Sequence, residues 1–586
     1  MTKSAVSFSN RETWVLVSFW SVAIIIGIRL FYWQVIKSAE LQTAVIKQTQ
    51  RKLSQIGERG QIFTSDGYLL VGNQPYYRLL INKTKSSISA SALVDLLIPI
   101  LITETPDYFL ATSSATQDFV KQELTSQLLS QLARSATVVT LRAKISSEVK
   151  TAVEKLALPE LQFETISGRY YPEASMAAQV VGFVGKTETG EDQGYFGIEG
   201  ALDGELAGKS QTRTVLTDAL GKALPGEKLN FEIPVAGRDV VLTLRRDLQQ
   251  LTEEFLAKGI EKYGAKAGEI ILMEPATGKI LALAAWPNYL PAYYYWYDSS
   301  LYKNPSVVNL YEPGSTFKTL TVSAGLDSGV ITPETVCTTC AGPKIIGKYA
   351  IKTWNEEYHP NITMTQALEK SDNVAMVFVS DLLGKDRQVE YLRKFAIGEP
   401  LHLDLQEDTQ TPFPTHFGPT ELATSAFGQG ISTTSLQLVR AVGAIANHGY
   451  MMRPQIVAKV IDKQRNQELP IQPIVERQVI SPLAAEQATT MMVSSALHGE
   501  AQWAVSKRYT IAGKTGTSQI PGPGGYQADK TIASFIGFAP PINPQVLIFV
   551  KLIEPTSSPW AAETAAPLWF HLAEKVFLLL GIPADK

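Results

Sequence analysis

Cysteine is almost missing from this chain of 586 residues: there are two, Cys337 and Cys340, in a single CxxC. That is too few for a disulfide scaffold and only half of a four-thiolate zinc site. It leaves a local disulfide or two idle thiols, with a redox role as the lesser alternative. Histidine is scarce as well, and the first of six is His359, so chemistry that needs imidazole is confined to the C-terminal part. Neither sign of charge is in excess. Lysine and arginine total 53 against 56 acidic residues, a net charge of -3, which excludes a general nucleic-acid or polyanion binder. What is present, 45% hydrophobic and 19% charged residues, is a globular composition, and the length favours at least two folded units.

One long apolar run stands out. Residues 14–33 read WVLVSFWSVAIIIGIRLFYW, roughly 20 residues and therefore about one bilayer thickness as a helix. Arg29 lies near its far end, where it can snorkel toward headgroups, and Phe31, Tyr32 and Trp33 suit an interfacial belt. A cleavable signal peptide needs a shorter apolar core and small residues before the cut, whereas cutting after Ala39 puts Lys37 at such a position. The segment therefore reads as an uncleaved anchor, with residues 1–36 forming a short cytoplasmic tail and a transmembrane helix. Lys3 and Arg11 against Glu12 give a weak positive-inside signal that places the rest of the chain outside the cytoplasm.

Beyond the anchor, residues 40–56 are polar with scattered apolar positions and no Gly or Pro, a pattern for a helical stalk. RGQIFTSDGYLLVGN then predicts a hairpin around Asp66-Gly67. Residues up to 235 contain no histidine and no candidate catalytic cluster, so they read as a scaffold. The texture changes near Gly237, where VVLTL precedes a helical pattern over 247–258, and a domain boundary is expected at about 236. GEIILMEP and GKILALAAW follow as one strand pair, and RYTIAGKTG, TIASFIGFA and QVLIFVKLIE as three strands near the C-terminus, before an apolar helix over 560–580. Five antiparallel strands drawn from both ends of this region, with helices packed on them, make the expected fold class α+β.

Glu312-Pro313-Gly314 signals a turn, and STFKTLTVSAGL after it predicts a helix beginning at Ser315. Lys318 follows at a spacing that puts both side chains on one helical face, so its amine can approach the Ser315 hydroxyl. A serine nucleophile needs such a base, and a lysine serves once burial or a neighbouring cation lowers its pKa toward neutrality. The helix N-terminus adds positive potential where an oxyanion forms. SxxK alone says little, because average composition gives roughly two chance matches in a chain this long. Ser147/Lys150 and Ser300/Lys303 are further matches, read as surface residues because neither follows a turn signal. The company of Ser315 decides the matter. SDN follows at Ser371, Asp372 and Asn373, then KTGT at Lys514, Thr515, Gly516 and Thr517, and KTG is expected by chance only about 0.1 times. Alone, SDN reads as a polar helix cap and KTGT as a turn. Together they assign work to each residue. Ser371 relays a proton to a leaving amine and Asn373 holds a substrate backbone. Lys514 supplies a fixed cation, and Gly516 lets a substrate lie against a strand. The hydroxyls of Thr515 and Thr517 bind a terminal carboxylate, and the backbone N–H groups of Ser315 and Thr517 form an oxyanion hole.

The order SxxK, SDN, KTG is that of class A β-lactamases and penicillin-binding proteins. Over nearly its whole length the chain resembles the class B penicillin-binding proteins, monofunctional transpeptidases of cell-wall synthesis. The resemblance is carried by YEPGSTFK, SDNVAMV, AFGQGISTTSLQL, AGKTGTSQ, ASFIGFAP and AAPLWF, and by GRYYP and GIEGALDGELAG in the scaffold region. It implies a stalk and non-catalytic, dimerisation-like pedestal over 37–235 and a transpeptidase domain over 236–586. It further implies peptidoglycan stem peptides of the lipid-linked precursor polymer as substrate, acylation by β-lactams, and neither metal nor cofactor. Partners would be a membrane glycosyltransferase and division-complex proteins at the cytoplasmic (inner) membrane, with catalysis on its outer side. One departure is visible: the family's RGxIxDRNG segment is here RGQIFTSDG, without the Asp-Arg pair. YEPGSTFK and the single anchor look more like the septal, division-specific transpeptidase than the elongation-specific one. A glycosyltransferase domain, with its acidic, His-containing signature, is not expected ahead of His359.

Two rivals share some of these features. A β-lactam hydrolase has the same acylation chemistry, but a pedestal and an anchor are superfluous for it. A non-catalytic cell-wall scaffold has no use for a complete motif set.

Overall fold

The computed structural model describes residues 10–85, 88–105, 114–216, 235–522 and 525–586; Lys3, part of the leading charge signal, lies outside them. The chain divides into two units, Met1–Glu58 with Gly208–Ala236, and Arg59–Ala207 with Gly237–Lys586.

In the first unit, the helix Asn10–Phe31 continues through a π-helical turn, Tyr32–Ile36. Together they give 27 residues, with a mean hydropathy of 2.1 over their most apolar 18-residue stretch, long and apolar enough to cross a membrane. The expected stalk is helical only over Ser38–Thr49. Its second half is the strand Gln50–Ile56, paired antiparallel with Ser210–Leu216. A partner so far along the chain overrides local helix preference, and no local pattern reports it.

In the second unit, the strands Ala267–Met273, Ile280–Trp286, Ala512–Gly522, Gly525–Ala539 and Val546–Ile553 form the catalytic sheet. The first and last of these pair at its middle, and every pairing is antiparallel. Their period-two alternation separates two cores. Ile270, Leu272, Ile548 and Val550 face the helices Arg246–Tyr263 and Ala565–Leu579, while Ile271, Met273, Leu547 and Phe549 face the helical lobe. That lobe contains the helices Lys318–Asp327, Asn373–Lys394, Ser435–Ala446 and Pro482–His498. Cys337 and Cys340, both buried, form a disulfide within it.

A second sheet joins the expected pedestal to the region beyond residue 236. The hairpin at Asp66-Gly67 connects Ile62–Phe63 to Leu69–Asn82, and Gly67 takes the positive φ of +85° that the turn requires. Val240, at the expected domain boundary, lies opposite Ile62 in a parallel pairing and opposite Val460 in an antiparallel one, so one sheet crosses that boundary. Where the Asp-Arg pair is missing, Ser65 N–H donates to the Leu244 carbonyl at 2.8 Å and Asp66 accepts from Arg246 N–H at 3.2 Å. Elsewhere in the pedestal, Arg59 and Arg169 both bind the fully buried Glu199, each at 2.6 Å.

On the lobe side of the catalytic sheet, Glu269 and Lys551 are register partners and form an ion pair at 2.6 Å, each side chain 1% exposed. Ser306 donates to Glu269 and Lys551 donates to Ser435, both at 2.8 Å, and the ammonium lies 4.3 Å from the centre of the Tyr311 ring. The pair thereby fixes the strand centre against the segment leading to Ser315. Breaking a buried pair strands the surviving charge, whereas removing both partners does not. Lys551→Met or Glu269→Leu alone is therefore expected to lose about 3–5 kcal/mol of unfolding free energy, and the double variant less than either, as measured by urea denaturation. A double variant as unstable as the sum of the singles would refute this account.

Candidate active site

Ser315 lies in a 3-10 turn, Gly314–Phe317, that passes into the α-helix Lys318–Asp327. The regular helix thus starts at Lys318 and not at Ser315 as expected, because Gly314 enters at φ +56° and the first turn is wound tighter. Glycine is needed there for space too: a Cβ on Gly314 would lie 3.0 Å from the Thr517 carbonyl oxygen. Segment AFGQG supports the turn from another side. Gly314 N–H donates to the Gly428 carbonyl at 3.0 Å, and the Thr321 hydroxyl to that of Ala426 at 2.7 Å. Ser315 itself is half-buried.

Lys318 is fully buried. Its Nζ donates to the Ser371 carbonyl at 2.5 Å and to Ser371 Oγ at 3.2 Å, so its hydrogen bonds go to the second motif and not to the Ser315 hydroxyl. Lys514 Nζ, also buried, donates to the same Oγ at 3.1 Å and to the hydroxyl of Thr515 at 3.2 Å. Ser371 therefore bridges two lysines. It can do so because it takes a left-handed φ of +54° between the helices Met364–Glu369 and Asn373–Lys394. Asp372 starts the second of these as N-cap, accepting from Ala375 N–H at 3.0 Å. Burial and then the charge of Lys514 push the Lys318 amine down to about 7, while Glu500 and Asp372 pull it back up. Burial also lowers the pKa of Lys514, against the pull of Glu500.

KTGT lies on Ala512–Gly522, an edge strand of the catalytic sheet. A Cβ on Gly516 would meet Thr316 Cγ2 at 2.7 Å and Ser534 Oγ at 2.8 Å. Glycine at this position lets the strand close on the nucleophile turn. With Gly314 against Thr517, this brings the backbone of Ser315 beside that of Thr517. The Thr515 hydroxyl donates to Glu500 Oε2 at 3.0 Å, and Thr517 Oγ1 accepts from Ala561 N–H at 3.0 Å. Asn373 donates its side-chain amide to the Lys352 carbonyl at 2.9 Å.

Four further residues shape the site. Glu312 accepts from Gly430 N–H at 3.0 Å and from the Tyr526 hydroxyl at 2.8 Å, tying the far end of the edge hairpin to the nucleophile turn; burial raises its carboxyl pKa. Its place just before Pro313-Gly314 was a signal that could have been read. Glu500 is the counter-charge of the two lysines, and Trp354 and Trp560 meet edge-on at 5.2 Å beside Lys352 and Ala561. No local pattern marks these three.

Residues 268–571 match the family described as Penicillin binding protein transpeptidase domain, and residues 54–242 that described as Penicillin-binding Protein dimerisation domain. The chain belongs to the class B penicillin-binding proteins. Like other members of this family, it is a serine-type D-Ala-D-Ala transpeptidase of peptidoglycan synthesis. It is 30% identical to Stage V sporulation protein D of Bacillus subtilis, over 100% of this chain and 88% of that protein. To the peptidoglycan D,D-transpeptidase FtsI of Escherichia coli it is 27% identical, over 76% of this chain and 73% of that one. Among solved structures, penicillin binding protein 2X of Streptococcus thermophilus superposes with a TM-score of 0.71 at 22% identity, covering 90% of this chain and 80% of the other. A peptidoglycan synthetase of Bifidobacterium adolescentis gives 0.69 at 24% identity, covering 92% and 98%. These likenesses establish the penicillin-binding fold.

The lowered pKa of Lys318 sets a pH dependence. Below about 7 the amine is an ammonium and cannot take a proton, so acylation by a β-lactam should rise about tenfold per pH unit there and level off above it. The check is the second-order acylation constant as a function of pH, and a flat profile through neutrality would remove Lys318 from the role of base.

Proposed function

We propose that Ser315 is the acyl-carrying nucleophile and that the enzyme works in septal cell-wall synthesis. The observation that carries the catalytic part is the convergence of two buried lysines on Ser371 beside the nucleophile turn. Ser315 Oγ attacks the penultimate D-Ala carbonyl of the donor stem peptide, and Lys318, as the neutral amine, takes its proton. The backbone N–H groups of Ser315 and Thr517 receive the developing oxyanion. Ser371 relays the proton from Lys318 to the departing D-Ala amine, while Lys514 stays charged and holds the donor carboxylate with Thr515 and Thr517. Asn373 holds the donor backbone once it exchanges its bond to Lys352. An amine of a second stem peptide then displaces Ser315, so that one amide forms as the ester breaks.

Residues 37–235 act in this reading as the stalk and pedestal, and the N-terminal helix holds the enzyme in the cytoplasmic membrane with its catalytic side outside. A membrane glycosyltransferase and division proteins are its working partners. The septal role draws support from the FtsI relatives and from the single anchor. An elongation role is the alternative: depletion from growing cells should give filaments that fail to divide, and rounded cells would favour elongation instead.

Covalent labelling with a fluorescent penicillin tests the chemistry. Ser315→Ala should lose labelling completely, with the label in the unsubstituted protein mapping to the Ser315 peptide, and retained labelling in the variant would end the assignment. Thr517→Ala keeps its backbone N–H and loses only the hydroxyl. It should therefore lose peptide cross-linking more than penicillin labelling; equal losses in both assays would return the side chain to its structural bond with Ala561.

A further inference from the structure

The oxyanion hole of the mechanism above takes one N–H from each of two elements, Ser315 from the nucleophile turn and Thr517 from the edge strand. Its width therefore depends on how far apart those elements are held. Against the segment that contains AFGQG the turn is pinned by backbone. Tyr311 and Thr433 exchange N–H to carbonyl bonds at 3.0 Å in both directions, Gly314 N–H reaches the Gly428 carbonyl at 3.0 Å, and Gly430 N–H reaches Oε1 of Glu312 at 3.0 Å. Against the edge strand the restraint is of another kind. Gly516 beside Thr316 and Gly314 beside Thr517 are packing contacts, which limit how near the strand comes but hold it there only weakly. The strand Ala512–Gly522 ends its sheet, so no further ladder holds it from that side.

Among the described residues, one hydrogen bond crosses from the hairpin of Ala512–Gly522 and Gly525–Ala539 to residues 312–317: the Tyr526 hydroxyl donates to Oε2 of Glu312 at 2.8 Å. Tyr526 lies beyond an irregularity in that hairpin. The two strands keep one register from Ala512 opposite Phe538 to Gln519 opposite Thr531, then shift so that Pro521 lies opposite Tyr526. A break of this kind bends a strand and re-aims the side chains past it. The Glu312 carboxylate, just ahead of Pro313-Gly314-Ser315, thus takes one donor from AFGQG and one from the hairpin, and a charged acceptor strengthens both bonds. The Tyr526 ring is 44% exposed, so it adds little to the core and its hydroxyl bears on position more than on stability.

We propose that Glu312 and Tyr526 are positioning residues for acyl transfer: their bond closes the edge strand onto the nucleophile turn and so sets the separation of the two N–H groups that receive the oxyanion. The proposal rests on the acyl-transfer reading given above. Both residues act through the backbone of their own elements. Donors serve an oxyanion only at about 2.7–3.1 Å from the place where it forms, and a misplacement of about 1 Å costs on the order of 100-fold. Loss of one tie from a strand still paired on its inner side is a smaller change. The effect falls on the transition state, because charge on that oxygen develops only there.

The test is acylation of the full-length protein in detergent by benzylpenicillin, followed to saturation, beside the affinity for a peptide boronic acid, whose tetrahedral adduct with Ser315 puts an oxygen in the hole. Tyr526→Phe deletes only the hydroxyl. It should lower the saturating acylation rate about tenfold, while the half-saturating penicillin concentration moves by less than about twofold. Boronate affinity should fall by about the same tenfold. Glu312→Ala should match these losses, and Glu312→Gln, whose amide keeps an acceptor for Gly430 N–H and a partner for the Tyr526 hydroxyl, should recover most of them. Adding Tyr526→Phe to Glu312→Ala should cost less than about twofold more. An unchanged saturating rate in Tyr526→Phe, a change in half-saturation alone, or an unchanged boronate affinity would overturn the proposal, as would single losses that multiply in the double variant. Tyr526→Phe decides alone if Glu312→Ala does not fold. Failure of the unsubstituted protein to acylate would instead remove the reading on which the proposal rests.

Discussion

Two lysine side chains within hydrogen-bond reach of one serine oxygen, in a place from which water is excluded, set the terms for the rest of this molecule. Two unit charges about 4 Å apart repel by roughly 4 kcal/mol at the effective dielectric of a partly shielded protein site. The pair persists only because each lysine is carried by an element that cannot yield. Lys318 stands on a helix buried over nearly its full length, Lys318 to Leu326, and Lys514 on a strand whose glycine lets it press on the nucleophile turn. The repulsion is not waste: burial first, and then this repulsion, keep one of the two amines near neutrality, the state a proton acceptor needs.

The same economy governs the substrate-facing groups. Asn373, Thr515 and Thr517 all hold protein partners in the structure, Lys352, Glu500 and Ala561 respectively. In the proposed mechanism a donor peptide would thus exchange hydrogen bonds on arrival and not fill empty ones, so its net gain would lie in charge and geometry more than in bond count. Glu312 and the Trp354–Trp560 contact frame the space in which that exchange takes place.

Much of this was legible in the sequence wherever a pattern is local. Turn, serine and lysine in YEPGSTFK, the Asp66-Gly67 hairpin and the five strands of the catalytic sheet all follow from periodicity and turn chemistry over a few residues. Ser315, Lys318, Ser371, Asn373, Lys514, Thr515, Gly516 and Thr517 were singled out by the order of three short motifs, and the fold gathers them. The misses have a common cause. Residues 50–56 are a strand only because Ser210–Leu216 lies alongside. Glu500 matters only because the Thr515 strand passes it, and the partner of Lys318 is Ser371 because a left-handed turn points it there. That Gly516 also lies against Thr316 could not be read, because Thr316 is distant in sequence.

Sheet order has a consequence for how the chain comes to be folded. Ile62 pairs with Val240, Val240 with Val460, and Ala267 with Ile553. Each of these pairings closes a very long loop, so both sheets include contacts of high sequence separation. Pedestal and catalytic region are therefore not built one after the other as the polypeptide emerges. The strand Asp239–Leu242 at the domain boundary waits for residue 460, and the central strand of the catalytic sheet waits for almost the last residues to be delivered. Until then, apolar strands such as IILM and LIFV are without their neighbours, in the state most open to aggregation.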